Sequence, residues 1–220
     1  MSTKTSESRL FIKDRARNTL LNPCFEPDME FFLYGDAFWD AARKLLDNDS
    51  LDRSAFAQFD ARVIVYLYRH ALELFLKAIL FGRGAELVDG IPSREEFITH
   101  RLSKLLPCVR RIFVKCGWEK TFGSNAVPRF DDFVAIVKEF EDADALTFGR
   151  YPIRTDLKPA LSSPLAFSIR TFAGIMDEVL GVLYGACDRL PDIANDQARA
   201  SYEAWCEDME NSEHPECDPD

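Results

Sequence analysis

The segment from Arg62 to Phe81, RVIVYLYRHALELFLKAILF, constrains the fold more than any other part of the chain. At about 100° per residue, Arg62, Tyr66, Arg69, His70, Glu73 and Lys77 fall inside an arc of about 100°. The rest of the circumference carries Val, Ile, Leu, Phe, Ala and Tyr. An ordinary surface helix has a much narrower apolar side. This helix must therefore be packed on most of its sides, by its own bundle or by a second subunit. Arg69, His70, Glu73 and Lys77 put too much charge into the stretch for a simple membrane span. Ser54 is a candidate cap for its start, and Gly82-Arg83-Gly84 breaks it at the other end.

The flanking sequence supplies partners of the same kind. Phe31, Tyr34, Phe38, Ala42 and Leu45 recur at steps of three and four and predict an amphipathic helix over residues 28–47. Ser93, followed by Glu95 and Glu96, reads as a helix start. Leu102, Leu105, Leu106, Val109, Ile112 and Phe113 predict another helix, which Pro107 should kink or divide. A short helix is expected over residues 130–140. Residues 147–164 are irregular, with Gly149, Pro152, Pro159 and Pro164. Residues 165–190 read as the last long apolar helix, ending before Pro191, and residues 194–210 as a polar one. No strand-type alternation of any length and no internal repeat interrupts this pattern. The expected fold is all-α: a bundle of four to six helices over residues 28–191, an N-terminal arm over 1–27 and an acidic, partly disordered C-terminal tail over 192–220.

Composition narrows the function classes. A chain of 220 residues with 47% apolar content, including 18 Phe, buries a full core and is not disordered as a whole. Only 10 Gly count against a turn-rich β fold or a Gly-loop nucleotide enzyme. The six cysteines show no C-x-x-C spacing and there are three histidines, so neither a disulfide framework nor a metal site is expected, and no cofactor is implied. MSTKTSESRL lacks an apolar core of the secretory type, which makes a soluble cytoplasmic protein the default. The formal charge of −10 is unevenly spread: residues 192–220 hold ten acids against the single base Arg199, leaving −1 on residues 1–191. An anionic ligand for the body is therefore not excluded.

The polar arc of the central helix is the candidate site. Arg69, Glu73 and Lys77 at i, i+4 and i+8 have two readings. They form a solvated ladder of ion pairs, or they line a cleft in which Arg69 and Lys77 hold an anion while Glu73 orients one of them. His70 adds an acid–base group near neutral pH, beside an arginine suited to phosphate oxygens. His100, Arg150 and Tyr151 are further candidates. Arg150 precedes Tyr151-Pro152 and so belongs to a loop.

YLYRHALELFLKAILFGRG, then THRLSKLL, then FGRYP, in that order and spacing, resemble bacterial HEPN-like helical proteins with an R-H-x-x-E-L-x-L-K helix, a following H-x-L-x-x-L element and a later R-Y-P. YGDAFWDAARKLL is similar to the helix that precedes these elements, and the resemblance covers about residues 30–190. It implies an α-helical, often dimeric fold, either a binding or partner module or a metal-independent ribonuclease of a toxin or defence system. Active members carry R-x4–6-H. Arg94 and His100 have that spacing, whereas Arg170 and Arg189 in the last long apolar stretch have no histidine at that distance.

The expectation that follows is a homodimeric module with a polar cleft for RNA or another phosphate-bearing ligand. The runner-up is a ribonuclease with His70 or His100 as base and Arg69, Lys77 and Arg150 on phosphate. The near-neutral body lacks the basic field of a tight nucleic-acid binder, which ranks the module first. Because the tail is poor in apolar residues, deleting residues 211–220 should leave the melting temperature within about 2 °C of wild type in a thermal melt.

Overall fold

The computed structural model describes residues 27–47, 57–89, 97–120, 122–142, 151, 153, 156–161 and 164–212. These form five α-helices: α1 (Pro27–Leu46), α2 (Ala57–Phe81), α3 (Leu102–Lys115), α4 (Phe130–Asp142) and α5 (Ile169–Ser212). A short 3-10 turn, Arg83–Leu87, follows α2. Among the described residues there is no strand, only an isolated bridge between Ile153 and Pro159. The helix start expected at Ser93 lies outside the described residues, as does the arm up to residue 26.

Helix α2 is the axis of the bundle. Every residue from Ala71 to Leu80 is buried. Helix α1 runs antiparallel to it: Phe31 meets Phe81 at 5.0 Å between ring centroids and Phe38 meets His70 at 4.4 Å. Proline at the first position of α1 costs no hydrogen bond, and Asp28 and Glu30 in its first turn with Arg43 and Lys44 in its last complement the helix dipole. Helix α2 stops where the sequence predicts. The Gly82 N–H donates to the Ala78 carbonyl at 2.9 Å, and a Cβ at Gly84 would lie 2.7 Å from the Ile79 carbonyl oxygen. Only glycine lets the chain turn this closely against the helix it has just left.

Helices α3 and α4 close one side with aromatic packing. Phe113, Phe122, Phe130 and Phe133 are all at most 1% exposed, and their neighbouring ring centroids lie between 5.0 and 6.0 Å apart. Pro107 neither ends nor divides α3, which runs unbroken from Leu102 to Lys115. It sits exposed near the start of the helix, between Leu106 and Cys108, whose side chains are buried. Their burial holds the helix across the missing donor.

Helix α5 departs further from expectation. It does not end before Pro191: the helix runs 44 residues from Ile169 to Ser212, across the boundary expected between body and tail. Leu190 and Ala194, 2% and 4% exposed, pack on either side of the proline and offset its lost hydrogen bond. Beyond Ala194 the helix leaves the body, with Tyr202, Trp205 and Met209 exposed.

A polar link fastens α5 to the other two long helices. Asp177 Oδ1 accepts from Trp39 Nε1 of α1 at 2.6 Å and from the Tyr68 hydroxyl of α2 at 2.9 Å. Burial, and then the bond to Asp177, push the Tyr68 phenol far above its ordinary range. Replacing Asp177 by Ala would leave two donors unpaired in an apolar setting. The Asp177→Ala protein should lose about 2–3 kcal/mol in urea unfolding, a drop of roughly 5–10 °C in melting temperature.

Candidate functional site

Helix periodicity sets Arg69, Glu73 and Lys77 one above another on α2, and the rest of the fold closes over them. They are 2%, 1% and 7% exposed. The ladder of ion pairs is therefore present but buried and not solvated, and at this depth the three do not line an open cleft. Two neighbours contribute to the closure. The chain entering α3 is drawn onto α2 by a hydrogen bond from Arg69 Nη2 to the His100 carbonyl. On the α1 side the Lys77 ammonium lies 5.9 Å from the centre of the Phe31 ring.

Glu73 is the centre of this network. Its Oε2 accepts from Arg69 Nη1 at 3.0 Å, and its Oε1 accepts from Lys77 Nζ at 2.8 Å and lies 2.9 Å from His100 Nδ1. Burial pushes the carboxyl upward, but the bonds from Lys77, Arg69 and His100 outweigh it and hold Glu73 below its ordinary value. The carboxylate is thus ionised and can only accept. Nδ1 of His100 must carry the proton of this contact, which leaves Nε2 as the ring nitrogen not engaged by Glu73. The His100 side chain is 60% exposed while its anchor is 1% exposed. The ring is held from below and open above.

His70 occupies a different environment. It stacks on Tyr66 at 5.6 Å and meets the edge of Phe38, toward α1. Burial lowers its pKa, and the charge of Glu73 opposes that shift only in part. Tyr151 is 56% exposed. Arg150 lies outside the described residues, as does Arg94. Of the sequence candidates, Arg69, Glu73, Lys77 and His100 converge.

The start of α3 adds exposed Arg101 and Lys104 beside His100, and Glu141 of α4 accepts from the Ser103 N–H at 3.0 Å. No group of three or more His, Cys, Asp or Glu among the described residues is placed to hold a metal ion. Cys108, Cys116, Cys187 and Cys206 are in no disulfide, and burial pushes the Cys187 thiol up to about 12, out of reach of nucleophilic work near neutral pH. No helix among the described residues is long and apolar enough to cross a membrane.

The sequence reading missed two acids, Asp177 and Glu178. Glu178 accepts from the Ser124 hydroxyl at 2.5 Å and the Ala126 N–H at 2.9 Å, and so fixes the loop before α4. Their signal was present: two adjacent acids interrupt an apolar run between Met176 and Val179. Comparison of the chain with protein-family models, with curated proteins and with solved structures finds no match.

Two outcomes follow from the network. Glu73→Ala strands two buried cations and should cost about 3–5 kcal/mol in chemical unfolding. Lys77→Met leaves Glu73 paired with Arg69 and should cost less than half of that. His70 acts through pH. Its pKa is depressed in the folded protein, so the unfolded chain binds the proton more readily. That contribution to stability is complete above about pH 6.5 and is lost as pH falls through the lower, folded value. Melting temperatures measured from pH 7 to 5 should fall less steeply for His70→Phe than for wild type.

Proposed function

We propose that this chain is a HEPN-like helical binding module, working as a homodimer, that takes a phosphate-bearing ligand such as RNA at the open face of His100. One observation carries the reading: an exposed imidazole tethered through Nδ1 to a carboxylate that is itself buried and twice paired. The tether fixes the ring and turns Nε2 outward. Once protonated, the ring offers that N–H and a positive charge to an oxyanion. Arg101 and Lys104, exposed and within four residues of His100 in the chain, supply further cations near the start of α3. Arg69 and Lys77 are spent on Glu73 and act from behind, setting the position of the ring and not touching the ligand.

The same tether favours the ribonuclease as the second reading. A histidine backed by a carboxylate is arranged as a general base. Nε2 would take the proton of a ribose 2′-hydroxyl while its oxygen attacks the adjacent phosphorus and the 5′-oxygen leaves.

Binding of an end-labelled single-stranded RNA, followed by anisotropy in EDTA with gel analysis of the same samples, separates the two. The module reading expects intact RNA, binding that weakens with salt, and a loss of about tenfold or more in affinity for His100→Ala. RNA cut by wild type and left whole by His100→Ala would replace the module with the enzyme. Equal affinity of wild type and His100→Ala, without cleavage, would remove both.

A further inference from the structure

We infer that the outward face of α1 is the surface on which a second copy of this chain packs, antiparallel, across a two-fold axis near Ala37. The inference rests on the dimeric part of the reading above and assigns it to particular residues.

The face is apolar where a monomer gains nothing from it. Met29, Leu33, Tyr34 and Leu45 are 49%, 55%, 54% and 37% exposed. Ala37 and Ala41, between them, are exposed as well. Met29, Leu33, Ala37, Ala41 and Leu45 follow one another at steps of four and so form a single ridge along the helix, the kind that meets a like ridge in the commonest class of helix packing. The other side of α1 is fully used: Phe31, Phe32, Phe38 and Trp39 pack against α2 and α5. The surface continues past α1. Phe59 and Val63 at the start of α2 are 52% and 44% exposed, on the same side of that helix as His70, which α1 meets through Phe38. Scattered exposed apolar residues are normal, but a row running the length of a 20-residue helix marks a contact surface.

Size and charge order select the occupant. A two-fold axis at Ala37 sets each residue against the one equally far on the other side of it. Leu33 then meets Ala41 of the second copy, large against small, and Met29 meets Leu45. The two alanines at the crossing let the backbones approach. Charge along α1 is ordered to match: Asp28 and Glu30 stand in its first turn and Arg43 and Lys44 in its last. The same register brings Glu30 opposite the second copy's Lys44, whose side chain is 74% exposed and pairs with Asp40 of its own helix at 2.5 Å. A parallel pair would set like ends together. The antiparallel pair is complementary to itself and also opposes the helix dipoles, so a second copy fits this face.

Sedimentation at tens of micromolar tests the assignment, with circular dichroism confirming that each variant is folded. Wild type and Val114→Glu, which alters an exposed site on α3, should sediment as dimers. Leu33→Glu should sediment as a monomer with an unchanged helical spectrum. Lys44→Glu should weaken the dimer about tenfold, and the double variant Glu30→Lys/Lys44→Glu should recover wild-type association, because the exchange restores both cross-pairs. A wild-type dimer that Leu33→Glu leaves intact would overturn this face while the dimeric reading stands. A monomeric wild type would overturn both.

Discussion

A single buried carboxylate organises the middle of this protein. Glu73 lies inside the bundle at a depth where an ionised group survives only if it is paired and hydrogen-bonded. Arg69 and Lys77 meet that need from the adjacent turns of α2, and His100 meets it from the chain entering α3. The requirement therefore does more than neutralise a charge. It fixes the path of residues 97–101 against α2, since Arg69 spends a second donor on the His100 carbonyl. The contacts that keep one carboxylate satisfied also hold the imidazole and the chain just before α3, whose own apolar face is buried in the core.

The opposite side of α2 has a matching device. Tyr68 and Trp39 share one oxygen of Asp177, which ties α1, α2 and α5 at one point. An all-apolar interface between three long helices tolerates sliding along the ridges. A polar contact that is lost with any shift does not. Between the two links α2 is otherwise packed by aliphatic and aromatic side chains, so the bundle takes its cohesion from apolar burial and its register from these two acids.

Function is read from what the network leaves outside. The two cations that a sequence reader would give to a ligand are consumed internally, and the group presented to solvent is the histidine they support. An imidazole held from beneath has a defined direction of approach, a property useful to a binding site and to a general base alike. Residues 1–191 carry a net charge of only −1, so the recognition proposed at His100 would draw on local geometry and not on a long-range field. The acidic charge is concentrated beyond Pro191, much of it on the part of α5 that projects from the bundle.

The helical architecture was legible from periodicity alone, because the apolar steps of three and four in residues 28–47, 62–81, 102–113 and 130–140 are strong local signals. The polar arc on α2 was legible for the same reason: positions on one helix are related by fixed geometry. What the sequence could not carry was depth. Arg69, Glu73 and Lys77 read the same in the sequence whether they face water or the chain entering α3, and their burial became visible only with the packing around them, the His100 and Phe31 contacts included. The pairing of His100 with Glu73 joins residues 27 positions apart, and that of Tyr68 with Asp177 joins residues 109 apart. No local rule reaches across such separations. Pro107 and Pro191 read locally as breaks, yet the burial of their neighbours kept both helices whole, since tertiary contact outweighs one missing hydrogen bond. Sequence determined which segments are helices and which residues share a face; tertiary structure decided which of those faces see water, because burial is a property of what comes to lie on top.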